Sequence, residues 1–154
     1  MIKINGVNHF AISVGDLEES IDWYRKIFGF EVFDTSSIPQ TGIKVAHMVG
    51  NGLILEIFCP PGGCNLPKER TIPNEDLLTN GNKHISFGVP DGTKALEQLK
   101  AEGVEIVMEA KVDNTYGIFI HDNTGNLIEI FEEKGIWWDK IQDFERSVPA
   151  LMRK

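Results

Sequence analysis

The chain has 154 residues, 42% hydrophobic and 25% charged, and 15 Lys and Arg against 23 Asp and Glu leave a net charge of −8. That length fits one domain, or two half-sized modules around a shared core; the acidic balance argues against a nucleic-acid or anionic-membrane surface and for a small-molecule partner. The first residues lack the apolar run of a secretory signal and no apolar stretch is long enough to span a bilayer, so a cytoplasmic location is expected. In chain order, Val7 to Val14 alternates as a strand, with Phe10, Ile12 and Val14 on one face and Val7, His9, Ala11 and Ser13 on the other. Asp16 is placed to cap a helix, with Glu19 three residues on, Leu17, Ile21, Tyr24 and Phe28 at helical spacing, Arg25 and Lys26 in the last turn, and Gly29 as the stop. Strands are expected at about Phe30 to Thr35 and Ile43 to Val49, and Asn51-Gly52 is a two-residue hairpin signal leading into Leu53 to Phe58.

The same order returns after Asn82. Lys83 to Val89 matches the first strand, with His84, Ser86 and Gly88 where His9, Ala11 and Ser13 stood. Asp91 matches Asp16, Leu96 and Leu99 match Ile21 and Tyr24, and Gly103 to Ile106 matches Gly29 to Val32. A strand from Tyr116 to Asp122, the turn Asn123-Thr124-Gly125 and a last strand from Asn126 to Phe131 complete the repeat. The expected architecture is α+β, with two tandem βαβββ modules over residues 7–58 and 83–131.

Between them, residues 59–82 are rich in Pro and Gly and read as a binding loop, lid or linker. Its Lys68 and Arg70, with Lys83, are candidates to meet an anionic substrate, and Cys59 and Cys64 read as two thiols flanking a turn. In the tail, residues 132–154, Trp137, Ile141, Phe144 and Val148 recur at helical spacing, which predicts a short amphipathic helix packed on the body or on a partner subunit.

The chemistry lies in the strands that close each module. Leu53 to Phe58 and Asn126 to Phe131 each carry one carboxylate, Glu56 or Glu129, in a largely apolar run. A carboxylate in such a strand costs several kcal/mol unless it is paired, protonated or bound to a metal. Each module also sets a histidine on the small-residue face of its first strand, 47 residues before Glu56 and 45 before Glu129. If the modules pair about a pseudo-twofold axis, His9, Glu56, His84 and Glu129 can converge. Two imidazoles and two carboxylates, with positions left for water or substrate, suit a divalent Ni, Co, Zn, Mn or Fe ion.

The stretches Val-Asn-His-Phe-Ala-Ile-Ser-Val, Asp-Leu-Glu-Glu-Ser-Ile-Asp-Trp-Tyr, Gly-Phe-Glu-Val, Lys-His-Ile-Ser-Phe-Gly-Val and Asp-Asn-Thr-Gly-Asn-Leu-Ile-Glu-Ile-Phe resemble the vicinal oxygen chelate superfamily, which spans glyoxalases, bleomycin-resistance proteins and extradiol dioxygenases. The resemblance covers about Val7 to Phe131. It implies a single glyoxalase-like domain, a curved, barrel-like mixed sheet with helices outside, a homodimer, and His9, Glu56, His84 and Glu129 in the four metal-ligand positions. The chain departs from the family's usual Asp-Pro-Asp-Gly turn at Asp122-Asn123-Thr124-Gly125. The ligand set is similar to that of glyoxalase I, which implies a lyase or isomerase of the glyoxalase or epimerase type. In such chemistry a substrate with neighbouring oxygens loses a proton to give an enediolate or enolate, and Glu129 or Glu56 takes and returns it. Alternatives are an Fe(II) extradiol-type dioxygenase, disfavoured because Glu56 fills a position those enzymes leave free of a ligand, and a metal-free drug-sequestering protein.

Three further side chains are candidates for the substrate or for the surroundings of the ligands. A two-residue turn at Asn51-Gly52 sets His47 directly across from Glu56. His121 stands at the corresponding distance along the repeat, on a side that depends on the length of the second turn. Tyr116, at a strand entrance beside Gly117, is a candidate for the pocket wall.

Overall fold

The computed structural model describes residue 2, residues 4–112 and residues 114–147. Asp16 caps the first helix, α1 (Leu17–Phe28), by accepting the Glu19 backbone N–H at 3.0 Å. Gly29 ends that helix in the left-handed conformation with φ of 69°, where a side chain would be strained. Asp91 caps α3 (Gly92–Ala101) in the same way through the Lys94 N–H, so both crossover helices start where the repeat places them.

The first module orders β1 (Phe10–Ser13), β2 (Glu31–Ile38), β3 (Ile43–Gly50) and β4 (Leu53–Cys59) as β1-β4-β3-β2. The second orders β5 (Ile85–Val89), β6 (Ile106–Val112), β7 (Thr115–His121) and β8 (Leu127–Glu132) as β5-β8-β7-β6. In each sheet the first strand runs parallel to the last, and the other neighbours are antiparallel. The expected mixed, curved architecture therefore takes the form of two four-stranded sheets, with no closed barrel. β1 and β5 begin at Phe10 and Ile85, so His9 and His84 stand just ahead of their strands.

Alternation sorts the two faces of each sheet. Ala46, Met48, Leu55 and Ile57 in the first sheet, and Ile118, Ile120, Ile128 and Ile130 in the second, are buried in one continuous core with Ile21 and Tyr24 of α1 and Leu99 of α3. The carboxylates Glu56 and Glu129 lie on the opposite face. One difference from expectation concerns the connection between the modules. Residues 59–82 hold a 3-10 turn (Lys68–Thr71) and a one-turn helix α2 (Pro73–Asp76), too short to leave a periodic signal. The tail forms α4 (Ile136–Ser147), with Ile136 and Phe144 more than half exposed; Val148 and the Trp137 side chain lie outside the described residues.

Asp122 stitches the modules together. One of its oxygens accepts the Thr124 and Asn126 backbone N–H groups at 2.9 and 2.8 Å, which shapes the β7–β8 turn, and the other accepts the Tyr24 hydroxyl from α1 at 3.0 Å. Asn126 then donates its side-chain N–H to the Ser13 carbonyl of β1. Burial, and after it the Asp122 charge, push the Tyr24 hydroxyl well above its ordinary pKa, so it remains a donor. Tyr24→Phe is expected to remove a buried, charge-assisted hydrogen bond and to cost about 1.5–3 kcal/mol in urea unfolding. A loss within error of zero would show that the Tyr24–Asp122 hydrogen bond does not help to hold the modules together.

Candidate metal centre

The hairpin signal Asn51-Gly52 forms the expected two-residue turn, with φ of 51° and 74°, and sets the register of β3 on β4. Gly50 pairs with Leu53, and His47 lies directly opposite Glu56. On the other side of Glu56, β1 runs parallel with Ala11 as its partner, and His9 is two residues earlier. Three side chains consequently meet. His9 Nε2 lies 3.5 Å from one Glu56 oxygen, and His47 Nε2 lies 3.1 Å from the other. Asp34, paired with His47 across β2 and β3, has its carboxylate 3.9 Å from His47 Nδ1.

In the second sheet, Ser86 pairs with Glu129 as Ala11 pairs with Glu56, and His84 Nε2 lies 3.4 Å from a Glu129 oxygen. The turn holds three residues rather than two: Asp122 N–H reaches the Asn126 carbonyl and His121 pairs with Leu127. That extra residue shifts β7 by one, so the residue opposite Glu129 is Phe119, which meets the His84 ring edge-on at 5.2 Å. His121 shares the face of Glu129 but sits two pairs nearer the turn, where Nε2 donates to the Thr71 carbonyl at 2.7 Å. It ties the central segment to β7 and does not reach the carboxylate.

The spacings separate two kinds of contact. Two donors about 2.1 Å from a shared cation at a tetrahedral angle stand about 3.4 Å apart, and the His9–Glu56 and His84–Glu129 separations match it. The 3.1 Å from His47 to Glu56 is a hydrogen bond. His9 adds a second argument. Its Nδ1 lies 2.8 Å from the Asn8 side-chain oxygen, an acceptor, which fixes the ring with Nε2 facing Glu56; in the neutral form of that ring Nε2 presents its lone pair, the form a metal ligand needs. Two acceptors facing each other at that distance repel unless a cation or proton lies between them. The donor set thus fits a divalent cation. Among the described residues no three His, Cys, Asp or Glu side chains converge as around one ion, so the four predicted ligands are brought together as two pairs.

The two glutamates are similarly shielded, their side chains 20% and 18% exposed. The His84 contact is the main influence holding the Glu129 carboxyl below its usual range, with the Ser86 hydroxyl assisting and burial opposing. Two cavities are lined from both β1 and β5. One, of about 300 Å³, includes His84, Arg70, Lys83 and Asn126; the other, of about 700 Å³, includes His9, Ser86 and Phe87.

Arg70 borders the smaller cavity, yet most of its guanidinium is committed to the protein. Nε lies 2.7 Å from Asp76, which is 1% exposed, and Nη2 donates to the Asn82 carbonyl at 2.6 Å. Lys83 donates to the carbonyls of Asp76 and Thr79. These two cations neutralise a buried carboxylate and order the segment before His84. Tyr116 faces the other way from Glu129: alternation puts it on the helix side, packed on Gly92, with its hydroxyl on Glu109, so it is no wall of the site. Cys59 and Cys64 are free thiols. Asn8 and Asp34 were missed as partners of the histidines; adjacency to His9 and the β2–β3 register are the signals that point to them.

The family profile described as Glyoxalase/Bleomycin resistance protein/Dioxygenase superfamily matches residues 6–130. The chain is 31% identical to a lactoylglutathione lyase of Escherichia coli O157:H7 over 82% of its own length and 91% of the relative's. It is 29% identical to the mitochondrial methylmalonyl-CoA epimerase of Dictyostelium discoideum over 86% of its own length and 81% of that protein's. Among solved structures, a glyoxalase family protein from Enterococcus faecalis superposes with a TM-score of 0.71 at 22% identity, covering 83% of this chain and 98% of that one.

Arg70→Leu is expected to leave Asp76 with Lys83 as its one remaining cation and to lower stability by about 3 kcal/mol, read from urea unfolding. Unchanged stability would return Arg70 to the role of a substrate residue.

Proposed function

The chain belongs to the Glyoxalase/Bleomycin resistance protein/Dioxygenase superfamily, and from that premise we propose that it is a metal-dependent lyase or isomerase that moves a proton on a small substrate with neighbouring oxygens. The observation that carries the reading is the pair of matched His–Glu contacts, 3.5 and 3.4 Å long, with His9 Nδ1 held by Asn8 so that Nε2 faces the carboxylate. His9, Glu56, His84 and Glu129 are the residues we assign to a divalent cation. Because the two pairs do not converge among the described residues of one chain, the proposed site takes His9 and Glu56 from one copy and His84 and Glu129 from a second, in a homodimer.

A divalent cation held there supplies positive charge that steadies negative charge developing on the substrate's oxygens. The chain's own residues do the rest. The imidazoles hold their orientation through contacts such as Asn8 on His9. One glutamate takes the proton from carbon and returns it, to the same carbon in an epimerisation or to the next in an isomerisation. The apolar strand residues around Glu56 and Glu129 keep water from competing for that proton. Glu56 in the second ligand position supports proton transfer over dioxygenation, and the full set of ligand types supports catalysis over metal-free sequestration.

Two measurements test this. Purified protein titrated with Mn, Ni, Co and Zn is expected to bind one ion per chain, and the loaded protein to exchange the substrate C–H proton in D2O with lactoylglutathione or methylmalonyl-CoA, the compounds its relatives are named for. Oxygen uptake with catechols and ferrous iron, without exchange, would instead establish the dioxygenase reading. Glu56→Gln and Glu129→Gln proteins, refolded together, test the shared site. In a twofold dimer each mixed pair regains one intact site, giving tight metal binding at about a quarter of the wild-type level. A site within one chain regains none.

A further inference from the structure

Beside the ligands assigned above, the same face of the second sheet carries a carboxylate with no partner. The ladder of β8 on β5 runs on past Glu132, since the Glu133 backbone N–H donates to the Val89 carbonyl at 2.8 Å. Alternation therefore gives Glu133 the face of Glu129 and Phe131, and Gly88 the face of His84 and Ser86. The side chains agree: a Cβ built on Gly88 would collide with the Glu133 carboxylate, which lies across the space where a β5 side chain is missing. Ser86, two residues back along β5, is the hydroxyl bonded to Glu129. Two residues of strand set the Glu133 carboxylate roughly 7 Å beyond that contact, a span that a chain of about five methylenes covers. Phe131, the partner of Gly88, separates the two carboxylates along β8.

The repeat does not call for a charge here. At the offset that relates Glu129 to Glu56, the counterpart of Glu133 is Pro60. Lys134 is taken by the buried Glu132 at 2.5 Å, and the Glu133 side chain makes no hydrogen bond or ion pair among the described residues. Glu133 borders the cavity of about 700 Å³ together with Ser86 and Gly88. Most of that lining is apolar, with Phe10, Phe28, Leu53 and Phe87 among its residues; of the described residues in it, Glu133 is the one carboxylate, and none is Lys or Arg. Such a cavity favours an apolar chain that ends in a positive charge, and it sets a like charge against an anionic one.

We propose that Glu133 is a specificity residue that receives a protonated amine, carried on an apolar arm by the substrate whose neighbouring oxygens meet the metal. The inference rests on the metal reading above and names the substrate class within it. The same carboxylate disfavours an anionic tail, such as the phosphates of a coenzyme A thioester.

Hydroxamates chelate a divalent ion through neighbouring oxygens, so three of them with six-carbon chains serve as probes. The ε-aminocaproic, caproic and adipic monohydroxamates end in an ammonium, a methyl and a carboxylate, and each is titrated calorimetrically into the Mn-loaded full chain at low salt. Wild type is expected to bind the ammonium probe about threefold tighter than the methyl probe, the scale of a solvent-accessible ion pair, and the carboxylate probe more weakly than either. Glu133→Gln brings the ammonium and methyl probes level, and Glu133→Lys reverses the order. Gly88→Ala keeps the charge but pushes the carboxylate off its seat and removes the preference, which separates the seated group from the net charge of −8. Each variant is judged by the ratio of its own probes, so damage to the metal site common to all three cancels. Equal affinities in wild type, a preference that survives Glu133→Gln, or one unchanged in Gly88→Ala would each overturn the assignment. If folded wild-type protein takes up no Mn, the functional reading falls and this inference with it, a result distinct from a metal-loaded protein that binds the methyl probe and ignores terminal charge.

Discussion

The imidazole Nε2 of His9 is held 3.5 Å from the Glu56 carboxylate, and His84 and Glu129 repeat the arrangement at 3.4 Å; with the rings neutral and their lone pairs inward it is unfavourable without a cation between the partners. The sheet enforces it. Glu56 is fixed by ladders on both sides, parallel to β1 and antiparallel to β3, so it cannot retreat without breaking register, and a one-residue slip would drive it into the core among Leu55 and Ile57. Partial burial of the carboxylates raises the cost of leaving them without a counter-charge. A cation offsets both the repulsion and the desolvation, which is why the arrangement reads as a place prepared for one.

The fold keeps that face separate from the one that stabilises the chain. Helices α1 and α3 seal the opposite faces of the sheets into one core that crosses the module boundary, so neither half buries its apolar face alone. The aromatic contacts of Phe28 and Phe30 with Phe87 join the modules from within, and Asp122, bonded to Tyr24 and to its own turn, joins them at the sheet ends. With the halves fixed by these contacts, the Glu faces are free to carry polar residues that a stability-bearing face would not tolerate.

Much of this was legible because it is local. The Asp caps, the glycine stop after α1 and the Asn51-Gly52 turn each have a chemical signature within a few residues, and the two-residue turn was enough to place His47 against Glu56. The second turn shows the limit. Asp122-Asn123-Thr124-Gly125 permits several lengths, and a one-residue difference decides whether Phe119 or Ile120 opposes Glu129, and with it the face on which His121 falls. The Arg70–Asp76 ion pair was not legible because Asp76 is buried by a segment with no periodic pattern to announce it. Tyr116 was placed by its neighbour Gly117 rather than by register; once Phe119 is set against Glu129, alternation turns it toward α3.

Duplication supplies two glutamates at matched positions, and the side chains beside them differ. Replacing the histidine of one sheet by phenylalanine in the other, and valine by glycine beside it, alters neither the ladders nor the core, since both positions lie on the face away from the helices. The backbone can therefore stay nearly twofold while the side chains around each glutamate diverge. The face that carries the two glutamates is thus also the face on which the halves can differ at little cost in stability.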